Sequence, residues 1–163
     1  DSSHEHEEVL RLVDTDTTIR NLYARENEAF YDILQLQDKG ELKGKISRYL
    51  TIREERIHTF RQKYGDGKTD LLKVLENYYE KVEGTARYTE ARAARLLGDD
   101  DLYREYIQSL QVNMDGNEKY YRSGMAMSLI FDELNPAWKE EVFSKPESMF
   151  ELLADYGRAL DEQ

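Results

Sequence analysis

The stretch that decides the fold is YYRSGMAMSLIF, residues 120–131. In a helix, these residues would place apolar or small side chains around most of the circumference instead of along one stripe. A helix that is apolar nearly all round is buried on all sides. We therefore predict that a helix from Tyr121 to Leu134 lies at the centre of the molecule, with the other helices packed around it.

The composition of the remaining chain favours helices as well. Two prolines and nine glycines in 163 residues leave little material for the frequent turns of an all-β fold, and Glu, Leu, Arg, Lys and Ala are abundant. A chain of this length is typical of one domain. We predict an all-α fold for residues 1–163, a single helical domain of about six or seven helices packed as an irregular antiparallel bundle.

Several helix ends are marked by residues that favour them. The run DTDTT at 14–18 is rich in capping side chains, so one long helix over residues 5–37 and two helices with a break remain alternatives. The clearest loop is YGDGK at 64–68. Asn135 and Pro136 predict the start of a further helix. Ser148 and Glu151 have the spacing of a capping box and predict the start of the last one.

The longest predicted helix covers residues 69–97 and ends at Gly98, a position typical of a C-terminal cap. Glycine inside a helix costs about 1 kcal/mol relative to alanine, so we expect another backbone or side chain to approach closely at Gly84. Apolar residues recur every three or four positions and predict the face that packs against the core. They are Leu71, Leu75, Tyr78, Val82, Ala86, Thr89, Ala93 and Leu96.

Charge and cysteine content exclude several classes of function. Asp and Glu outnumber Lys and Arg by 34 to 23, which gives a net charge of −11 and argues against a nucleic-acid partner. No stretch approaches the ~20 apolar residues that a membrane-spanning helix needs. The absence of cysteine excludes disulfides, cysteine-ligated metals and thiol catalysis. The expected partner is a peptide or a protein.

Histidines are scarce, so any metal site must combine carboxylates with at most three imidazoles, those of His4, His6 and His58. The N-terminal pair could chelate an adventitious divalent ion, although chain termini are usually frayed. The chain begins Asp1-Ser2-Ser3, with no initiator methionine and no signal-peptide pattern. This start predicts a processed or excised chain.

Glu55 and His58 form an E-x-x-H pair, whose spacing places carboxylate and imidazole on one helix face. Di-iron bundles use two such pairs with two further glutamates, and this sequence contains one pair. With Arg53, Glu54 and Arg56 beside it, we interpret the pair as part of a solvated helix face.

A second group of charged residues lies on the longest predicted helix. At 100° per residue, Glu83 and Glu90 share one line at the edge of the apolar face. They could serve as ligands or acid–base groups at the border of the core. Alternatively, Arg87 pairs with both, at four and three residues' distance, in ordinary surface ion pairs.

Two segments resemble zinc metallopeptidases of the gluzincin type, and a third resembles bacterial peptidase-like chains. EGTARYTE at 83–90 resembles the E-G-x-A-x-Y-x-E stretch of these enzymes, and YRSGMAMSLI at 121–130 is similar to their Y-x-x-G-A segment. LNPAWKEEVF at 134–143 is similar to the G-P-G-W-K-x-x-V ending of bacterial peptidase-like chains. The resemblance covers roughly residues 70–155, about half of the chain.

The resemblance implies a role for four residues. Glu83 would be the third zinc ligand, and Tyr121 would donate its hydroxyl to the developing oxyanion. Glu90 or Arg87 would support the ligand. The H-E-x-x-H segment that supplies two histidine ligands and the general base is absent from this sequence. Zinc is therefore expected only if an upstream segment completes the site, and this chain alone is expected to bind no catalytic zinc.

Two functions follow as hypotheses. The first is the helical portion of a zinc-metallopeptidase-like protein, inactive as this isolated chain. The second is a noncatalytic, acidic helical module that binds a protein partner. The first predicts that Glu83, Glu90 and Tyr121 converge on one open cleft, whereas the second predicts that they are scattered or paired with Arg87 and Arg122.

Overall fold

A computed structural model describes residues 2–112 and 115–160, and it confirms the all-α class. Eight helices form from these residues, the fourth of them in three consecutive parts. They are α1 (Ser2–Thr15), α2 (Thr17–Leu34), α3 (Leu42–Tyr64), α4 (Asp66–Tyr79, the π-helical turn Glu80–Gly84, and Thr85–Leu96), α5 (Asp100–Gln108), α6 (Glu118–Leu134), α7 (Trp138–Ser144) and α8 (Met149–Ala159). Short 3-10 turns cover Lys39–Glu41 and Ser109–Gln111.

The predicted central helix is confirmed as α6. Every side chain from residue 122 to residue 131 is buried, and the helix packs against α2, α4 and α8. Met125, Met127 and Phe131 are completely buried in the main core. Tyr121 is the exception near the start of α6, since it is only partly buried. The helix that organises the bundle thus begins with a side chain that solvent can reach.

The structure decides between the two alternatives at residues 14–18 and confirms two expected helix ends. The chain breaks between α1 and α2, where the Asp16 carboxylate accepts a hydrogen bond from the amide of Ile19 at 3.1 Å. Gly98 follows α4 with a φ of +80°, in the left-handed region that favours glycine. The Ser148 hydroxyl accepts from the amide of Glu151 at 3.1 Å and caps α8.

Two expected boundaries are wrong. The predicted loop at 64–68 shrinks to one residue, because Gly65, with a φ of +91°, reverses the chain between α3 and α4. The helix expected to start at Pro136 starts at Trp138 instead. The Asn135 side chain accepts a hydrogen bond from the amide of Ala137 at 3.0 Å, so it closes a turn ahead of the helix.

The predicted core face of α4 is also wrong. Tyr78, Val82 and Leu96 are 56%, 44% and 75% exposed, and of the eight predicted core positions only Leu75 is buried. The side chains or backbones that face inward are those of Thr69, Leu72, Leu75, Glu76, Glu80, Gly84, Tyr88, Ala91 and Ala94. Carboxylates replace apolar groups on this face because α3 presents two buried arginines to them. None of the helices described is long and apolar enough to cross a membrane.

Candidate functional site at the crossing of α4 and α6

The π-helical turn of α4 crosses α6 at a contact between two glycines. A Cβ atom at Gly84 would lie 2.9 Å from the carbonyl carbon of Gly124 and nearer still to its Cα, and one at Gly124 would lie 2.7 Å from the Cα of Gly84. The two backbones therefore touch, as expected for Gly84. A single π turn inside an α-helix is frequent at functional sites. The contact joins the two segments whose sequences resemble the metallopeptidases.

Glu83 and Tyr121 lie beside this contact and interact with each other. Burial and, after it, the negative charge of Glu83 raise the pKa of Tyr121. Both side chains are partly buried. Glu83 makes no ion pair within 4 Å in the part of the chain that the structure describes, so its carboxylate remains available to a ligand. The Tyr121 hydroxyl stays protonated at neutral pH and can donate a hydrogen bond.

Arg87 and Glu90 complete the surface cluster. The guanidinium carbon of Arg87 lies 5.7 Å from the centre of the Tyr121 ring, and its Nε lies 3.8 Å from the Glu90 carboxylate. Glu90 also accepts a hydrogen bond from the Tyr106 hydroxyl at 3.1 Å. The expected surface pair of Arg87 with Glu90 is thus present, and Glu90 is turned toward α5 rather than toward Glu83.

The four candidates therefore divide into two pairs. Tyr121 faces Glu83 and is covered by Arg87, whereas Glu90 is held by Arg87 and Tyr106. None of them lines the groove of about 590 Å³ between α3, α4 and the chain before α8. Arg122 does not join the cluster, because its guanidinium points inward to the carbonyl oxygens of Ser109 and Val112.

Beneath the surface cluster lies a buried network of five charged side chains, which the sequence did not reveal. Arg56 binds Glu26 on α2 and, at 2.8 Å, Glu76 on α4. Burial alone would raise the pKa of Glu76, but the charges of Arg56 and Arg53 outweigh it and lower that pKa. For Glu26, burial dominates and raises the pKa. The network joins α2, α3 and α4 inside the bundle.

Arg53 extends the network to the π turn. The two terminal nitrogens of Arg53 each donate to one carboxylate oxygen of Glu80 at 2.8 Å, which makes a bidentate ion pair. One of these nitrogens also donates to the Tyr49 hydroxyl at 3.1 Å. The Ser123 hydroxyl donates to Glu80 at 2.6 Å. Because Glu80 and Glu83 belong to the same π turn, these bonds hold the turn that carries Glu83.

Sequence reasoning assigned Arg53 and Arg56 to a solvated face, and that interpretation is wrong. Both are buried, with 5% and 0% exposure. Glu76 and Glu80 were missed because the apolar pattern of α4 pointed to another face. A usable sign was their spacing, since Glu76, Glu80 and Gly84 are four residues apart and lie along one side of a helix.

The remaining metal candidates lie at the surface. Glu55 and His58 are exposed on α3, as the solvated-face interpretation predicts for these two residues, and Glu55 lies 3.8 Å from Arg25. His4 is exposed and His6 partly exposed on α1. Within residues 2–112 and 115–160, no group of three or more histidine, aspartate or glutamate side chains is arranged to hold a metal ion.

Comparisons with protein-family models, with curated proteins and with solved structures found no match to this chain.

Proposed function

We propose that this chain is the helical portion of a zinc-metallopeptidase-like protein, with Glu83 as a metal ligand and Tyr121 as a hydrogen-bond donor to the substrate. One observation carries the proposal. The two segments that resemble such enzymes are far apart in sequence, yet they touch at Gly84 and Gly124 and so bring Glu83 next to Tyr121.

The local chemistry supports these roles. Glu83 is a carboxylate without an ion-pair partner among the described residues, and zinc accepts carboxylate oxygens together with histidine nitrogens. Tyr121 keeps its proton, and its ring lies 5.7 Å from the guanidinium carbon of Arg87, so its hydroxyl can act as a donor. Arg87 forms an ion pair with Glu90 and, in this proposal, orients the Tyr121 ring.

The described residues supply one ligand rather than three, so by themselves they do not make a catalytic zinc site. The proposal therefore requires an H-E-x-x-H segment that the printed sequence does not contain.

Metal analysis tests the proposal. It uses the full encoded protein, the 163-residue chain, and Glu83→Gln and Glu90→Gln variants of the full protein. We expect one zinc per full-length chain, lost in Glu83→Gln and kept in Glu90→Gln, because Glu90 is bound to Arg87 and Tyr106. A metal-free full-length protein, or zinc unaffected by Glu83→Gln, would overturn the assignment. Stoichiometric zinc in the 163-residue chain would overturn the need for another segment.

A second function, a noncatalytic interaction module, is favoured by the pairing of the surface cluster. Arg87 covers Tyr121 and binds Glu90, which is the arrangement that this hypothesis predicts. The same experiment separates the two, because the peptidase-like proposal requires zinc in the full-length protein and the module hypothesis does not.

A further inference from the structure

A shallow apolar groove lies on the other side of α4, between α7 and the π turn and last part of α4. We call it the Phe143 groove. Val82 and Ala86 form one wall, Trp138 and Phe143 the other, and the volume is about 330 Å³. That is at the small end of ligand pockets, which span ~300–1000 Å³, so it suits an anchoring side chain of a larger partner.

The apolar side chains at this groove are unusually exposed and adjacent. Phe143 is 64% exposed and Val82 is 44% exposed. Tyr78, four residues before Val82 on α4, is 56% exposed and extends the same surface. Single exposed apolar residues are common, but contiguous ones mark interaction sites. The apolar residues from which a core face of α4 was wrongly predicted therefore include those of this exposed surface.

The groove is lined by a positively charged side chain, whereas the protein as a whole is negatively charged. Among the described residues that line the groove, the charged one is Lys139. Its Nζ lies 5.4 Å from the centre of the Tyr88 ring and 5.8 Å from that of the Trp138 ring. Lys81 follows Tyr78 by three residues on the same side of α4. Within the described ranges, neither lysine lies within 4 Å of a carboxylate, although the chain as a whole carries a net charge of −11.

We propose that the Phe143 groove docks an acidic, apolar segment of a partner protein. An aromatic or aliphatic side chain of the segment inserts between Val82 and Phe143, and neighbouring carboxylates of the segment meet Lys139 and Lys81. The inference does not depend on the metal role of Glu83. It gives the chain a partner class whether or not the peptidase proposal holds.

Charge also argues against two other occupants. A second copy bound through this face would bring the lysines of both copies together, because a two-fold contact uses the same patch on each subunit. An anionic membrane would meet the whole net charge of −11, which repels it. Only the part of an acidic segment that enters the groove lies within about 8 Å of the lysines, the range over which charges act at physiological salt, so a segment with its carboxylates there is attracted locally.

Two synthetic peptides test the proposal on the intact chain. Both are about 18 residues long, five helical turns, with Leu and Phe on one face. One carries Glu at every charged position and the other carries Lys. Anisotropy of a fluorescent label on the peptide gives the affinity. The emission of Trp138, the single tryptophan of the chain, reports occupation of the groove.

We expect the acidic peptide to bind at least about tenfold more tightly than the basic one. Phe143→Ser should weaken it by about tenfold or more, and Lys139→Glu should reverse the preference between the peptides. Leu97→Ser is the matched control, because Leu97 is 85% exposed at the far end of α4 and should leave binding unchanged.

Several results would overturn the proposal. They are equal affinity for both peptides, binding of neither, and an acidic-peptide affinity that Phe143→Ser leaves intact. Dimerisation that Phe143→Ser abolishes, measured by light scattering, would assign the groove to a second copy. Binding to phosphatidylserine vesicles that is lost in the same variant would assign it to a membrane.

Discussion

The backbone of Gly84 lies directly against the backbone of Gly124, so α4 and α6 cross there with no side chain between them. The contact places the π turn, and Glu83 within it, at the start of the central helix. Any side chain at either glycine must push the two helices apart. The position of Glu83 relative to Tyr121 therefore depends on two residues that carry no chemistry of their own.

Gly124→Ala should destabilise the protein, because the added methyl group meets backbone atoms of α4 that cannot move aside. We expect a loss of about 1–3 kcal/mol in the free energy of unfolding, measured by urea denaturation. Gly44→Ala is the control. Nothing lies within 4 Å of a Cβ at Gly44 on α3, so that change should be neutral or stabilise by about 1 kcal/mol. Equal effects of the two substitutions would contradict the tight crossing.

Arg56→Met removes the cation that binds Glu26 and Glu76 inside the bundle, so Glu26 loses its ion-pair partner while Glu76 keeps Arg53 at 3.9 Å. Breaking a buried pair in this way costs about 3–5 kcal/mol. Thermal and urea unfolding measure the loss. Arg48→Met removes an exposed ion pair with Asp32 and should cost about 0–1 kcal/mol.

The buried network predicts a partial rescue as well. Combining Arg56→Met with Glu26→Gln and Glu76→Gln removes both carboxylate charges that Arg56 faced and should recover part of the lost stability. A triple variant no more stable than Arg56→Met would contradict the assignment of the loss to these carboxylates.

Asp16 should make the stability pH-dependent on the acid side. Burial alone would raise its pKa, but hydrogen bonds from Tyr64, Lys63 and the amide of Ile19 lower the pKa to about 2. Because the folded-state pKa lies below the unfolded one, the carboxylate stabilises the fold above about pH 4, and this contribution disappears as the pH falls toward 2.

Asp16→Asn keeps the helix cap and removes the charge, so it isolates this effect. Urea unfolding should show the variant to be less stable than the wild type at pH 7 and nearly equal to it at pH 2. A difference that stays constant between the two pH values would rule out the titration of Asp16 as its cause.

Tyr121→Phe tests the donor role in the full encoded protein. If Tyr121 stabilises an oxyanion, loss of its hydroxyl should lower kcat for peptide hydrolysis by about 100-fold or more with little change in KM. Zinc content and the free energy of unfolding should stay the same. Tyr78→Phe, on the opposite side of α4 and 56% exposed, should leave kcat unaltered, and an equal loss in both variants would argue against a specific donor.

The sequence alone was sufficient to predict the central helix. A helix buried on all sides is apolar around most of its circumference, and this pattern can be recognised without knowing which helices pack against it. The sequence was also sufficient for the close approach at Gly84, since a costly glycine inside a helix points to a steric cause. Both depend on local properties of one segment. The same holds for the capping residue Ser148.

The face of α4 could not be predicted in this way. Glu76 and Glu80 point inward only because Arg56 and Arg53 of another helix neutralise them, and that pairing is invisible to a periodicity argument. The position of Glu90 depends likewise on Tyr106, a residue of the next helix. Predictions failed where a polar side chain finds its partner across the fold.

The single residue between α3 and α4 has a consequence for the handling of the protein. A protease must bind several residues of extended chain. Gly65 is the only residue between the end of α3 at Tyr64 and the start of α4 at Asp66, so no extended segment is present there. Limited digestion should therefore spare this reversal although Gly65 is exposed. The first cuts should fall in the longer connections, at 35–38 or 145–148. Residues 42–96 should then stay together within one fragment, as the hairpin of α3 and α4.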